Sequence, residues 1–357
     1  AELLISKQWH TIIADEAQAL KNGATKRSKA AMALQADFKM VTTGTPIENH
    51  LGELWNLFNF INPGLLGSLK KFNERYAQAI ENDKDHATQL RLKKLLRPFI
   101  LRRLKTDVLK ELPSKTEITL HVELSAEERT FYEALRRNAM ENMLKAQQEG
   151  QAQAGAQHLQ VLAEIMKLRR ACCHPKLVIA DSPLGSSKLQ AFEELVDELI
   201  ANRHKVLVFS QFVGHLAIIR ELLDKKSVSY QYLDGSTSVA KRKKAVNSFQ
   251  GGEGDVFLIS LKAGGSGLNL TAADYVIHMD PWWNPAVEDQ ASDRAHRMGQ
   301  KRPVTIYRLV AKETIEDKIV DLHAHKRDLA SSLLEGGEVS GKMSVGDMME
   351  LIKESAE

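Results

Sequence analysis

The chain has 357 residues, 43% hydrophobic and 27% charged, which is enough length for two or three domains with sizeable cores. Lys and Arg number 49 against 46 Asp and Glu, a formal charge of +3, so any polyanion partner must be argued from local patches. This composition excludes disordered and collagen-like chains, and no apolar run of about 18 residues offers a membrane span. The start, Ala1-Glu2-Leu3-Leu4-Ile5, has no basic region ahead of a long apolar one and does not read as a signal peptide. It lacks Met, and the chain is expected to begin mid-gene. The adjacent Cys172 and Cys173 give no disulfide framework and fit a reducing cytosol.

In chain order, 11–16 reads as a buried strand ending in two carboxylates, and Phe38–Thr42 as a second strand. Helical patterning follows over 51–60 and 69–96. Segment 91–115 is locally basic, with Arg91, Lys93, Lys94, Arg97, Arg102, Arg103, Lys105, Lys110 and Lys115 against Asp107 and Glu111. Ser125-Ala-Glu-Glu128 is a capping box. It should open an amphipathic helix with Phe131, Leu135, Ala139 and Met143 on one face. Residues 146–157 are a low-complexity insert, and a second helix returns over 158–172. From 186 apolar strands alternate with helices. The strands fall at 205–210, 230–233, 255–260, 275–279 and 304–309, the helices at 213–226, 238–250, 285–297 and after Thr314. That alternation predicts an α/β fold with a parallel sheet covered on both faces. Two strands ahead of the helical region are too few for a stable sheet of this kind. The tail after Glu335 reads as a peripheral extension.

Four stretches carry chemistry. Asp15-Glu16-Ala17-Gln18 places two carboxylates at a strand's C-terminal end, where open α/β sheets bind ligands. In a nucleotide hydrolase the Asp would serve Mg²⁺ and the Glu the attacking water. By itself the pair also fits a solvated acidic loop. Thr43-Gly44-Thr45-Pro46 follows a strand and by itself is a turn. Gly264, Gly265 and Gly267 follow an apolar strand, where backbone amides can approach a phosphate or ribose, or simply turn. In Asp280–Gln300, Asn284 is an N-cap and Pro285 a first helical residue. Glu288 and Asp289 suit the positive end of that helix. Gln290, Arg294 and Arg297, at i, i+4 and i+7, should share one helical stripe, from which two arginines can clamp a transferring γ-phosphoryl group.

These segments, in this order, resemble the second half of a Swi/Snf-type ATPase, a superfamily 2 helicase-like DNA translocase. Ile13-Ala-Asp-Glu-Ala-Gln18 resembles motif II, and Thr43-Gly-Thr-Pro46 with Ile47–Trp55 resembles motif III. Phe99–Val108 resembles the arginine-bearing segment between the lobes. Val208-Phe-Ser-Gln-Phe212 resembles motif IV, and Leu233-Asp-Gly-Ser-Thr237 the short motif after it. Ser260–Leu270 resembles motif V and Trp282–Gln300 motif VI. Gln18, where many relatives have His, resembles a bacterial or archaeal subgroup.

The resemblance implies RecA-like lobes, the first truncated and the second complete, with helical protrusions. Residues 1–110 would be the end of the first lobe with its protrusion. Residues 111–185 would be a linker and the protrusion of the second lobe, 186–330 the second lobe, and 331–357 an extension. ATP and Mg²⁺ would be the cofactors, with ATP between the lobes. Asp15 and Glu16 would serve Mg²⁺ and hydrolysis, with Arg294 and Arg297 as the other catalytic groups. Gln18, Gly265, Gly267 and Gln290 would lie at the nucleotide, and Thr43, Gly44, Thr45, Arg102 and Arg103 would couple the lobes. Ser210, Gln211, Gly235, Ser236, Thr237, Lys262 and Trp282 would line the path of double-stranded DNA. The basic run 91–105 and Lys241-Arg242-Lys243-Lys244 are further phosphate-contact candidates, or equally solvated helix faces.

Other expected partners are DNA-bound proteins such as RNA polymerase or nucleoid proteins, with no membrane. The expected location is cytoplasmic at the nucleoid, or nuclear in a eukaryote. Cys172-Cys-His-Pro175 resembles a packing element of the helical protrusion, and no structural zinc is expected, because no second ligand pair stands at metal-binding spacing.

One departure matters. No Gly-Lys-Thr or Gly-Lys-Ser occurs in the 357 residues, so the phosphate-binding loop is missing. The chain is therefore expected to begin inside the first lobe and to hydrolyse little or no ATP by itself. Its first strand, short of neighbours, should be weakly protected. A strand-separating helicase of the same superfamily and a non-catalytic DNA- or protein-binding remnant are the competing readings.

Overall fold

A computed structural model describes residues 2–43, 51–81, 85–103, 108–148, 154–263, 267–323 and Ile352. Among these, the residues up to Arg103 form one compact unit, and Val108 to His323 with Ile352 form a second.

After a one-turn helix over Glu2–Ile5, the first unit has two parallel strands, β1 (Gln8–Ala14) and β2 (Gln35–Val41), paired from Gln8↔Gln35 to Ala14↔Val41. The apolar run inside β1 suggested 11–16; the ladder starts earlier, at Gln8, because backbone pairing needs no apolar side chain. Helix α1 (Lys26–Met32) makes the crossover, and its N-cap Thr25 accepts from the Ser28 amide. One face of the pair packs Ile12, Ala14 and Val41 on Ala17, Leu20, Leu57 and Phe60. On the other, Ile13 and Phe38 are 58% and 56% exposed. Helix α2 (Leu51–Ile61) belongs to both this core and a second one, where Leu51, Leu54 and Phe58 meet Phe72, Ile80, Leu92 and Leu96. Helix α3 (His86–Leu96) starts on Asp85, which accepts from the amides of Ala87 and Thr88.

A two-stranded ladder covered on one face opens easily. The amides of β1 and β2 should exchange with solvent at least about tenfold faster than those of Leu54–Phe58 in α2. Hydrogen exchange read by mass spectrometry checks this, and equal protection would contradict it.

Among the described residues the second unit holds six strands, all parallel: β3 (Lys115–Val122), β4 (Val206–Ser210), β5 (Tyr230–Leu233), β6 (Val256–Ser260), β7 (Tyr275–His278) and β8 (Val304–Ala311), in the order β3-β8-β7-β4-β6-β5. The central β4 and β6 are buried at every position, as apolar runs between two helical layers must be. One face carries Leu207, Phe209, Phe257 and Ile259 with Phe249 of the helix over Val239–Gln250; the other carries Val206, Val208 and Leu258 with Phe192, Leu216 and Ile219. Each such side chain contributes roughly 1.5–3 kcal/mol of burial.

Helices α4 (Ala126–Gln148) and α5 (Ala154–Cys173) pair in a third cluster. The capping box forms as expected: Ser125 Oγ accepts from the Glu128 amide at 3.2 Å, and Glu128 Oε2 accepts from the Ser125 amide at 3.1 Å. Ala139 and Met143 are buried in that cluster, with Phe131 and Leu135 against it. Helices α6 (Ser187–Ala201), α7 (Val213–Lys225), α8 (Val239–Gln250) and α9 (Pro285–Ser292) follow, and 315–323 is helical.

Two sequence expectations need correction. Residues 115–122, read within a linker and protrusion, form the sheet-edge strand β3. Its side chains are mostly exposed, and Ile118, Leu120 and Val122 alternate with polar residues instead of forming an apolar run, with Val122 and Leu120 meeting the core. Helix α9 ends at Ser292, not at 297. Beyond it the amides of Arg294 and Ala295 bond three residues back, to Ala291 and Ser292, and the chain turns inward. Arg294 and Arg297 therefore do not continue a helical stripe from Gln290.

Candidate functional site

Asp15 and Glu16 lie immediately beyond β1. The strand ends are tied, since the Thr42 amide donates to the Ala14 carbonyl and the Ala17 amide to the Thr42 carbonyl. Asp15 Oδ1 accepts from Thr42 Oγ1 at 2.5 Å and from the Glu16 amide at 2.9 Å. The Thr42 hydroxyl, with that amide, holds the Asp15 carboxyl below the usual carboxylate range. An exposed, ionised oxygen donor of this kind fits a hard cation such as Mg²⁺. Glu16 sits at φ +50°, a left-handed conformation unusual for a residue with a Cβ. Gln18 Nε2 donates to Glu16 Oε2, and Gln18 Oε1 accepts from Thr43 Oγ1 at 3.1 Å. Glu16, Gln18 and Thr43 thus form one hydrogen-bonded chain. Gly44 and Thr45 lie outside the described residues. Arg102 and Arg103 are exposed.

In the second unit the remaining candidates gather at the C-terminal ends of the parallel strands. Ser210 ends β4; Gly235, Ser236 and Thr237 follow β5; Lys262 follows β6; Trp282 follows β7. Ser210 is buried and donates to Asp280, whose other oxygen accepts from the Gln211 amide at 3.1 Å. Asp234 Oδ1 accepts from the Ser236 hydroxyl at 2.7 Å, the Ser236 amide at 2.8 Å and Thr237 Oγ1 at 3.2 Å. The Ser236 hydroxyl leads in pulling the Asp234 carboxyl down to about 2, against partial burial and with help from the Tyr232 hydroxyl. The turn is thereby held from within, and Gly235 and Ser236 are presented to solvent. Lys262 is exposed, as are Lys241, Lys243 and Lys244 on α8, whereas Arg242 reaches back to the Ala263 carbonyl. Gly265 lies outside the described residues.

Gly267 has φ +45°, where a Cβ would be strained. The Leu268 carbonyl beyond it accepts from Arg297 Nη1 at 3.1 Å, and the Leu270 amide donates to the Arg294 carbonyl. The structure so brings the segment after β6 against Arg294 and Arg297. Gln290 is half-buried on α9.

Comparison with known proteins matches this arrangement. The family described as SNF2-related domain matches residues 1–177, and the helicase conserved C-terminal domain matches 187–299. The SWI2/SNF2 ATPase core of Sulfolobus solfataricus, solved in complex with dsDNA, superposes with a TM-score of 0.54 at 32% identity, covering 98% of this chain and 72% of that one. The chain belongs to the SWI2/SNF2 family. A putative ATP-dependent helicase/translocase of Bacillus subtilis, YwqA, is 38% identical over 99% of this chain and 39% of its own length. A probable chromatin-remodeling complex ATPase chain of rice is 34% identical over 98% of this chain and 32% of its own. The chain thus spans well under half the length of these curated relatives.

Within this SWI2/SNF2 chain, sequence reasoning passed over the residues that hold the motif VI segment. Arg308 of β8 is buried and donates to Glu288 at 2.8 Å, Glu117 at 2.7 Å and Asp289 at 3.4 Å, while the other Glu288 oxygen accepts from the Trp282 amide. Burial works against the charge on Glu117, but Lys115 and Arg308 overcome it and hold the carboxyl down at about 2. Glu288 and Asp289 therefore answer Arg308 as well as the helix end. Gln300 Nε2 donates to the carbonyls of Thr271, Ala273 and Ala295. A buried Arg in an apolar strand was the available signal for the first network; none marked the second.

Proposed function

We propose that the chain is part of an ATP-dependent translocase on double-stranded DNA that remodels protein–DNA complexes. The observation that carries this reading is the chain Glu16–Gln18–Thr43 beyond two parallel strands, in a family whose solved members include an ATPase core on dsDNA. Glu16 would orient and deprotonate the attacking water, and Gln18 and Thr43 would pass its state onward. Asp15 would hold Mg²⁺, which when bound offsets phosphate charge. Arg294 and Arg297 would answer the charge on the γ-phosphoryl group. The strand-end groups of the second unit, with Lys262 and the α8 lysines, would track a DNA backbone.

The test uses the full-length protein. ATP turnover should rise on adding duplex DNA, with no strand displaced in a fluorescent unwinding assay. Displaced strand would favour the helicase reading, and no turnover on any DNA would favour the binding remnant. The 357-residue chain alone should turn over little, since it carries no Gly-Lys-Thr or Gly-Lys-Ser to engage the β- and γ-phosphates.

A further inference from the structure

The interior of the second unit holds a polar cluster to which the proposed reaction assigns no role. Cys173 ends α5, His215 stands in the first turn of α7, and Asp280 follows β7. One potential ligand atom from each lies within 4.8 Å of the other two. Cys173 and His215 are fully buried and Asp280 nearly so. Among the described residues, neither ring nitrogen of His215 has a hydrogen-bond partner. Leaving a polar group so in an interior is costly, and native proteins seldom leave one without a water or an ion. Asp280 is oriented by Ser210 and the Gln211 amide, the kind of support that fixes a ligating carboxylate. The neighbouring His174 is otherwise engaged: its Nδ1 accepts from the Lys176 amide.

We propose that Cys173, His215 and Asp280 bind one zinc ion. A thiolate, a neutral imidazole and a carboxylate are a zinc donor set, and three protein ligands leave the fourth position to a water. On binding, the Cys173 thiol gives its proton to solvent, and the thiolate and carboxylate together offset the charge of the ion. Two cations share this interior. Lys188 is paired with Glu316, and Arg169 donates to the Pro281 carbonyl and lies over the rings of Phe212 and Trp283. Both cations oppose the ion; because Cys173 binds it as a thiolate and releases a proton, affinity rises with pH. The ion would join three segments distant in sequence: the end of α5, the start of α7 and the stretch leading into the motif VI helix. Local spacing shows none of this, and so the adjacent cysteines alone gave no metal reading.

The test titrates the chelator-treated chain with Co²⁺, then displaces it with Zn²⁺. One equivalent of Co²⁺ should produce a thiolate-to-metal charge-transfer band in the near ultraviolet, and Zn²⁺ should abolish it. Cys172→Ser should keep the band and Cys173→Ser should lose it with the circular dichroism unchanged. Should Cys173→Ser fail to fold, Ser210→Ala serves instead: it removes the hydroxyl that donates to Asp280 and accepts from the Phe212 amide at 3.1 Å, and should weaken Co²⁺ binding by about 10–100-fold. The proposal is overturned if the folded chain shows no such band, if binding follows surface histidines without a thiolate signature, or if Ser210→Ala binds as tightly as the parent.

Discussion

Replacing Lys188 with Met should destabilise the second unit by about 3–5 kcal/mol, a large share of the roughly 5–15 kcal/mol that holds a domain together. Lys188 of α6 and Glu316 pair at complete burial, and the same Glu316 oxygen accepts from the Ala311 amide at the end of β8. Burial disfavours the ammonium, but Glu316 beside it wins and raises the Lys188 pKa. Met fills similar volume, so the loss comes from a carboxylate left unpaired rather than from a cavity. The double variant Lys188→Met/Glu316→Leu should recover most of the loss, because two apolar side chains need no partner. Urea unfolding in a Trp9→Phe/Trp55→Phe background, read at the second unit's tryptophans Trp282 and Trp283, measures both. A single variant that loses less than about 1 kcal/mol would show that the pair is not the constraint its geometry implies.

Glu16→Gln in the full-length protein should lower DNA-stimulated ATP turnover by about 10²–10⁴-fold, the usual worth of a general base. The amide keeps the shape and loses the proton acceptor. Gln18→Ala should cost less, because it breaks the link to Thr43 and leaves the carboxylate in place. Steady-state turnover of the two variants ranks them, and equal losses would mean that Glu16 acts only through Gln18. A third variant separates chemistry from stability. Glu16 holds φ +50°, which costs a residue with a Cβ roughly 1–2 kcal/mol. Glycine removes that strain and loosens the unfolded chain by a similar amount. Glu16→Gly should therefore lose activity while unfolding within about 1 kcal/mol of the parent.

The second sheet was legible wherever apolar runs crossed its middle. Val206–Ser210 and Val256–Ser260 stand within a residue of the stretches read from sequence, because strands buried on both faces leave no polar alternation to confuse. Strand β3 was passed over. Ile118, Leu120 and Val122 alternate with polar residues, but only Val122 is buried on this edge, and its partner β8 lies nearly two hundred residues away. The end of α9 was hidden for a related reason: Ala295, buried beyond it, continues the apolar pattern of a helix after the backbone has begun to turn. At the candidate site the carboxylates, the threonine and the arginines were nameable by type and order. The hydrogen bonds linking Gln18 to Glu16 and Thr43 and the inward-turned hydroxyls around Asp234 needed coordinates, since a hydroxyl in a sequence does not say whether it faces a ligand or its own turn.

The cross-ties between 268–273 and 294–300 have a mechanical consequence. Leu268, Leu270, Thr271 and Ala273 are each bonded to Arg294, Arg297 or Gln300. These bonds, two of them from the single Gln300 amide nitrogen, tie the two stretches at three points, so the stretches have little compliance relative to each other. A push on the arginines is delivered to the glycine-bearing stretch as displacement instead of being absorbed as local bending. Work done at one end of such a strut reaches the other with little dissipated on the way.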